Sequence, residues 1–521
     1  MATVYIPPQT TVTEITTPSI VPLLAAAANI CIVGVPGLPS SSLAQLTTTD
    51  TVLLQQGIPV VLPTLAALNN DANLISVGSV LDVLNPAVGV AYLGAGYIPN
   101  TDYTVTLGES LPSGNNGTIT ALSTGAISNG TLVTVTYTYV PSDYWDPVRL
   151  FNIIDVENRF GPSFSVATNA QTGQSYYTGV GSQLSMGARM AFNNGAASVI
   201  CQPLFNVADG VQTAVTSGNV GNTTVWSKTL TSLYPYEDIN VIVPILDSST
   251  SPTNTLNIFG QVQTYQSYMN SQQQYVIAIF GEDGTASTAN FQTLLSAIPN
   301  THAPSLQANF GNAVSSQCVL INNTIFQLPT PGGYTNTINV GGQYAAAAVA
   351  GSLAGRAVSS SMTHSGLLGF NSITDPRVPS AKNTDAAAGL FVIEMYHGLV
   401  RCRHGLTLDI IDGAARAELS VVRAKFLMME SIKLTIDNEI IGKIIADANS
   451  PAIVSSAISG VLSLLQEARS IVGYTAVQAQ LVSLDPTIMT ATFSYRPSFT
   501  INYVRVSFTL DLTNSIVTSG T

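Results

Sequence analysis

The sequence predicts a multidomain chain mixing α/β and α+β units: a central α/β domain, an inserted all-β lobe, a C-terminal α+β domain and an extended strand arm at each end. Three patterns predict this. Between residues 144 and 375 near-continuous apolar runs alternate with helix-patterned ones, as expected of strands buried on both faces of a mostly parallel sheet. Between residues 78 and 141 short Thr/Val/Tyr runs are cut by evenly spaced turn signals. The run Phe499–Leu512 alternates cleanly, with Val504, Val506, Phe508, Leu510 and Leu512 on one face and Tyr503, Arg505, Ser507, Thr509 and Asp511 on the other. A strand with one apolar face needs a sheet to join.

In chain order, residues 1–22 read as an N-terminal arm: Val4, Ile6, Val12 and Ile15 alternate loosely, and Pro7, Pro8, Pro18 and Pro22 keep the segment extended. Residues 23–77 are expected to open the core, with Ala28–Pro36 (ANICIVGVP) as a buried strand ending in a Gly-Val-Pro turn. Residues 78–141, Gly78–Pro141, follow as a small β-sandwich or barrel built on Tyr103–Leu107, Gly117–Leu122 and Leu132–Val140. In the central domain, residues 142–375, helix Ser182–Asn194 leads into strand Ala197–Pro203, strand Ile239–Leu246 into helix Leu256–Asn270, and strand Tyr275–Phe280 into helix Ser287–Ile298. Gly341–Val358 reads as a close-packed helix whose Gly351-x-x-x-Gly355 spacing permits close helix contact. Residues 376–498 form the C-terminal domain, in which the helix-patterned stretches Ala414–Lys443 and Ile453–Val472 precede the strand-like Ile488–Tyr495. Residues 499–521 are the C-terminal arm; at roughly 3.3 Å per residue, Phe499–Leu512 reaches on the order of 45 Å, enough to cross to a neighbouring molecule.

Composition narrows the function classes. Only 9% of the residues are charged, against roughly 25% in an average soluble domain, while 46% are hydrophobic. The weakly polar stretches Ser19–Val35 and Tyr344–Leu353 are interrupted and shorter than the roughly 20 apolar residues that a membrane span requires. No membrane insertion is therefore expected. The start, Met-Ala-Thr-Val-Tyr-Ile-Pro-Pro, has neither the basic nor the apolar region of a secretory signal. A formal net charge of −12 argues against direct nucleic-acid binding, which needs a basic footprint. The charge is uneven: residues 1–375 hold 17 acids and 5 bases, whereas residues 376–521 hold 12 of each. The four cysteines, Cys31, Cys201, Cys318 and Cys402, have no framework or CxxC spacing and are expected as free, mostly buried thiols, as in a reducing cytoplasm.

No catalytic constellation emerges. The four histidines are His302, His364, His397 and His404. The pair His364-Ser365 lacks the separation in sequence and the nucleophile elbow of a hydrolase, so His364 reads as a polar loop residue. His397, Cys402 and His404 hold ligand types suited to zinc, but the strand-turn-strand pattern around them gives no common face and no fourth ligand. Asp409 and Asp412-Gly413 fall short of a calcium loop, and no phosphate-binding glycine motif stands between a strand and a helix. The expectation is no enzyme activity, no metal and no cofactor. In Ala414–Lys443 the residues Leu419, Val422, Phe426 and Met429 recur at helical spacing and form the expected buried face, leaving Arg416, Arg423, Lys433 and Lys443 largely outside it. Those bases read either as a solvated face or as a contact for an acidic partner.

The order of segments resembles the contractile tail sheath proteins of bacteriophages and related injection machines. The arm followed by ANICIVGVPGLPS is similar to the family's opening. Phe151–Gly161 (FNIIDVENRFG), Gln183–Val199 (QLSMGARMAFNNGAASV) and Val241–Asp247 resemble its middle domain. Gly389–Leu408 (GLFVIEMYHGLVRCRHGLTL), Ala414–Lys433 and the closing YRPSFTINYVRVSFTLDL resemble its C-terminal domain. The chain departs from many relatives in carrying Arg401-Cys-Arg-His404-Gly-Leu-Thr in place of a Trp-Gly-Ala-Arg-Thr type sequence. The resemblance implies a subtilisin-like topology for the central domain, without its activity, and a β-sandwich insertion at Gly78–Pro141. It also implies a virion subunit, assembled in the host cytoplasm, that polymerises as a helical cylinder around a tail tube and contracts during genome delivery. The partners implied are other copies of the chain, the tail tube protein, and baseplate and tail terminator proteins. The bases of Ala414–Lys443 would then face the acidic tube wall. A passive shell or surface lattice, such as an S-layer, an adhesin or another virion component, is the competing class.

Overall fold

The computed structural model describes residues 29–36, 46–61, 76–79, 96–97, 101, 103–106, 118–139, 142–168, 175–208, 211–215, 220–246, 252–281, 317–321, 326–329, 338–374, 378–387, 389–409, 418–482 and 485–499. The two arms fall outside these residues apart from Phe499, as does the expected helix Ser287–Ile298.

The centre is a six-stranded sheet. Its strands in chain order are β1 (Ile30–Gly34), β2 (Val148–Leu150), β3 (Val199–Pro203), β4 (Val241–Pro244), β5 (Ile277–Phe280) and β6 (Cys318–Leu320). They lie in the spatial order β6-β5-β4-β1-β3-β2. Five are parallel, and the edge strand β2 runs antiparallel to β3. Parallel neighbours need crossovers, and the helices α1 (Ile153–Phe160), α2 (Gln183–Asn193), α3 (Thr223–Thr231), α4 (Pro252–Ser271) and α5 (Gly342–Ala354) occupy the two faces. Three of these helices start at an expected kind of cap: Asn152, Ser182 and Asn222 each accept a backbone N–H from the first turn.

Alternation along the strands sorts the core into two layers. Ile30 and Ile32 of β1, Val199 and Cys201 of β3, Val241 and Val243 of β4, and Ile277 and Ile279 of β5 join the layer built with α1, α2 and α5. Cys31, Ile200, Ile242, Ala278 and Phe280 point the other way, to Val225, Trp226 and Leu230 of α3 and to Ile258, Phe259, Val262 and Tyr265 of α4. Each such buried aliphatic or aromatic side chain contributes about 1.5–3 kcal/mol of transfer free energy. Helix α5 is buried along its whole length, so its sequence carries almost no polar face. The glycine spacing proves to be a packing device: a Cβ on Gly351 would stand 2.1 Å from the Ala191 carbonyl oxygen of α2, and one on Gly355 would stand 2.9 Å from the Gly195 oxygen.

The β-rich lobe holds two antiparallel sheets. Thr131–Tyr139 is flanked by Leu46–Leu54 and by Ser76–Ser79, with Gly96–Tyr97 beyond the latter; Thr118–Ala121 lies between Val60–Val61 and Tyr103–Thr106. The expected boundary at residue 78 is therefore displaced. Leu46–Leu54, read as part of the core opening, pairs with Thr131–Tyr139 along its full length. Its LTTTDTVLL pattern says nothing of a partner some eighty residues on, and register alone assigns it to the lobe. The boundary at 376 is crossed as well. Phe391 donates its N–H to Leu320 and Leu408 donates to Cys318, so both ends of residues 389–408 are bonded to the edge strand β6. Phe391, Ile393, Val400 and Cys402 belong to the core layer of α2 and α5.

Two expectations follow. Gly351→Ala lowers stability by about 1–3 kcal/mol through overpacking against α2, whereas Gly460→Ala, in the middle of an exposed helical turn with nothing within 4 Å of the added methyl group, raises it by about 0.4–1 kcal/mol; urea unfolding midpoints separate the two. All four cysteines are free and buried, and burial pushes the Cys201 and Cys318 thiols up to about 12. Burial raises Cys31 and Cys402 as well. A thiol-disulfide reagent at pH 8 therefore modifies none of the four in the native chain and all of them once guanidinium unfolds it.

Candidate assembly surface

The C-terminal unit is assembled on two helices. Helix α7 (Leu419–Glu439) follows the short α6 (Pro379–Ala387) in the chain, and α8 (Ser450–Glu467) follows α7. The start of α8 is fixed by a local network in which Asp447 accepts the backbone N–H groups of Asn449 and Ser450 while Pro451 occupies the first turn. Those bonds, with the one from the Ser450 hydroxyl, hold the Asp447 carboxyl below the usual carboxylate range. Val454, Ile458, Val461, Leu462 and Leu465 of α8 form a stripe that packs with Met428 of α7 and with Ile471 and Val477.

Two small antiparallel sheets complete the unit. Ile471–Tyr474 pairs with Tyr495–Pro497, and Gln478–Val482 pairs with Asp485–Thr492. Among the described residues each of these four strands has one hydrogen-bonded neighbour. The second sheet is one-sided: Ala479 and Met489 lean on the α7–α8 core, as do Phe493 just after it and Tyr495 of the first sheet, while Ile488 is 50% exposed and Thr490 and Thr492 are open to solvent. Two-stranded sheets with free edges are marginal alone and offer unpaired backbone groups to a further strand. The arm residues Val4, Ile6, Val12, Ile15, Val504, Val506, Phe508, Leu510 and Leu512 lie outside the described residues. Phe499, where the described chain stops, follows directly from the strand Tyr495–Pro497 and is 51% exposed.

The four bases expected along the helix do not form one face. Arg416 lies outside the described residues. Arg423 is a correction, because it is buried at 6% exposure rather than standing outside the apolar face. The first turns of α7, Leu419 to Ala424, are buried on every side, and the Arg423 guanidinium donates to the carbonyls of Arg356 (3.3 Å) and Ala357 (3.5 Å) just past the end of α5. There it meets the negative end of that helix, and burial pulls its pKa down to about 10. Met429, expected in the buried face, is half-buried, and its neighbour Met428 takes the core position. Lys433 reaches the Gln272 carbonyl at 3.1 Å. Lys443 is exposed and donates to the Asn438 carbonyl.

The most concentrated charge lies elsewhere, on the hairpin Ile393–Tyr396/Leu399–Cys402. His397 and Gly398 form its two-residue turn, both with positive φ (48° and 81°), the pattern that fits the twist of a tight hairpin. Glu394, its side chain 4% exposed, receives Arg401 at 3.0 Å, Arg403 at 2.9 Å and Lys382 of α6 at 3.3 Å. Burial alone would raise the Glu394 carboxyl, but the bonds from Arg401, Arg403 and Lys382 and the charge of Arg403 hold it below the usual range. The Arg401 guanidinium also lies over the Tyr396 ring, 3.5 Å from its centroid. The sequence could have hinted at this cluster through Glu394 standing among bases at 382, 401 and 403; only the hairpin register and the approach of α6 bring the four together.

The residues tested for chemistry stand as follows. His364, at φ 60°, donates its backbone N–H to Cys402. The Ser365 hydroxyl accepts from Arg356 at 2.7 Å and donates to the Ser361 carbonyl, so a guanidinium rather than an imidazole engages it. His397 is at the hairpin turn, Cys402 is in the core, and His404 is half-buried with its pKa pushed down by burial. Among the described residues no group of three or more His, Cys, Asp or Glu could hold a metal ion, and no helix is long and apolar enough to cross a membrane.

No family model matches the chain. The chain is 25% identical over 448 residues to the tail sheath protein of Mycobacterium phage Bxz1, an alignment covering 83% of this chain and 69% of that protein. The chain is thus similar in sequence to a phage tail sheath protein. Among solved structures, the helical sheath of the anti-feeding prophage in its contracted state gives a TM-score of 0.49 at 14% identity, over 70% of this chain and 88% of that one. The PVC sheath complex of an extracellular contractile injection system, also contracted, gives 0.47 at 14% identity, over 70% and 87%. The sheath tail protein from Desulfitobacterium hafniense gives 0.42 at 10% identity, over 94% and 100%.

Removal of the central acid gives a direct test of the cation cluster. Glu394→Ala leaves Lys382, Arg401 and Arg403 facing one another without a counter-charge, and the chain loses about 3–5 kcal/mol of stability, read as a lower guanidinium midpoint. Because Glu394 is held below its ordinary value, its contribution is present above that value and fades as pH falls through the lower folded one.

Proposed function

We propose that this chain is a structural subunit of a contractile tail sheath, which polymerises as a helical cylinder around a tail tube and contracts to drive the tube through the host envelope during genome delivery. The observation that carries this reading is the likeness to the phage tail sheath protein over most of the chain. The geometry of the C-terminal unit supports it. Among the described residues, two-stranded sheets with open edges precede the alternating run after Phe499, and an extended strand added to another copy's sheet gains main-chain hydrogen bonds with pockets for alternate side chains. The N-terminal arm, through Val4, Ile6, Val12 and Ile15, would tie each subunit to a second neighbour. Contacts of this head-to-tail kind need not close on themselves, and where they do not they generate a helical array.

On this reading the central domain has the subtilisin-like arrangement, used as a rigid body without enzymatic activity, and the inserted lobe is a β-sandwich. The parallel sheet and the two antiparallel sheets support these assignments. The strand links act as hinges that survive contraction while rigid subunits exchange one packing for another. The tube contact is left to Arg416, Lys433 and Lys443, Arg423 being buried. Such exposed charge pairs are individually weak, which suits a contact broken during firing. The remaining partners are baseplate and tail terminator proteins, and the subunit is a virion component assembled in the host cytoplasm with no nucleic acid of its own.

Electron microscopy of the purified protein, alone and with the tube protein, tests the proposal. Hollow helical cylinders are expected, whereas a planar lattice would indicate a surface-layer protein and overturn it. Deleting residues 499–521 should leave folded monomers by sedimentation, and cylinders of normal appearance from the truncated chain would sink the strand linkage.

A further inference from the structure

Two surfaces at opposite edges of the central sheet carry complementary chemistry. The first is the outer face of the hairpin Ile393–Tyr396/Leu399–Cys402, which grows from the residues bonded to the edge strand β6. Opposite residues of an antiparallel pair share a face, so Ile393, Met395, Val400 and Cys402 turn to the core while Glu394, Tyr396, Leu399 and Arg401 stand on the other side. Tyr396 and Leu399 are paired across the end of the hairpin and both are exposed, Leu399 to 68%. Arg401 is paired in turn with Gly366, whose segment runs on into the exposed Leu368. Behind these apolar side chains Lys382, Arg401 and Arg403 share the one carboxylate of Glu394. With Asp385 of α6 counted as well, positive charge is still in excess. The second surface is the far edge of the sheet. Among the described residues no strand lies beyond β2, and the turn from β2 into α1 exposes Phe151 (67%) and Ile154. Asp146, Asp155, Glu237 and Asp238 along this edge are all exposed, and the Tyr236 hydroxyl ties the last two to it by donating to the Pro147 carbonyl at 3.3 Å. Two bases answer these four acids: Arg149 is engaged by Asp238, and Arg159 lies over the Phe160 ring.

We propose that the outer face of the hairpin docks on the β2 edge of a second copy of the chain, with Tyr396 and Leu399 against Phe151 and Ile154 and the arginines toward the acids. The choice of a second copy as the occupant rests on the sheath reading, and charge complementarity supports it. Residues 1–375 hold 17 acids and 5 bases. Of those bases Arg149 and Arg189 are already paired with Asp238 and Glu157, and Arg356 donates to Ser365. The acid-rich part of the chain therefore cannot neutralise itself, and copies that carry the same excess repel one another. A contact that brings the surplus bases of one copy to the acids of the next offsets that repulsion and fixes the register of the two. Five strand spacings, on the order of 24 Å, separate the two edges, so one molecule can engage a neighbour at each. The contact joins different surfaces, head to tail, and its repetition runs through the α/β domain independently of the arms.

Introduced surface cysteines report the contact cleanly, because all four native thiols are buried. The full-length double variant Phe151→Cys with Leu399→Cys, treated with a short bis-maleimide, should give a ladder of covalent oligomers on a denaturing gel. Either single variant alone should run as a monomer. The two singles mixed should stop at dimers, since each then offers only one of the two reactive surfaces. Raising salt from about 0.1 M to about 1 M, which shortens the screening length from about 10 Å to about 3 Å, should cut the ladder several-fold. No ladder from the double variant, a single variant that links to itself, or a ladder undiminished by salt would each overturn the contact. Should either substitution disturb folding, Ile154→Cys with Tyr396→Cys reads the same pair of surfaces. Cylinders in the electron microscope without a ladder would leave the sheath reading standing and sink this contact, whereas a ladder from a chain that forms no cylinders would support the contact and sink the sheath reading.

Discussion

The central strand Ile30–Gly34 sets the terms for the rest of the molecule. It has a parallel neighbour on each side, and its successive residues point into opposite layers, Ile30 and Ile32 one way, Cys31 and Val33 the other. A strand in that position leaves no face for water, so helices must cover both sides and the strands beside it must be apolar throughout. That requirement explains why helix α5 can be little more than alanine and glycine. It packs beside α2 on one face of the sheet, where close approach of the two backbones matters more than side-chain volume.

The second constraint is continuity. Residues 389–408 are bonded to the edge strand β6 and pack in the core of the α/β domain, and α7 then leaves that core to supply part of another. The C-terminal unit is thus joined to the α/β domain through one helix, with Arg423 anchored at the end of α5, Phe426 stacked on Tyr275 and Lys433 bonded to the Gln272 carbonyl. Such a joint gives stiffness in a small number of contacts. The polar ones depend on geometry and charge rather than on buried area.

Much of the fold was legible because it is written in local period. The parallel strands, α2, α4, α5 and α8 each carry an apolar pattern that a single element satisfies, and the structure places them within a few residues of their expected bounds. Arg423 was misplaced for the complementary reason. Helical periodicity finds the apolar stripe, but a helix whose first turns are enclosed buries the polar side as well, and nothing nearby in sequence announces the carbonyls of Arg356 and Ala357. Leu46–Leu54 and the Glu394 cluster failed in the same way, since each depends on a partner made adjacent by register.

By itself the sequence determined the element types, the free buried thiols, the low charge and its asymmetry, and an alternating run after Phe499 that requires a sheet. These follow from side-chain period, residue chemistry and composition, which need no knowledge of neighbours. Tertiary structure decided which strand belongs to which sheet, that Leu46–Leu54 pairs with Thr131–Tyr139 of the lobe, that Arg423 is internal, and that α7 is shared between two cores. Those outcomes rest on long-range pairing and on which faces are enclosed, and a linear pattern of apolar and polar residues does not encode them.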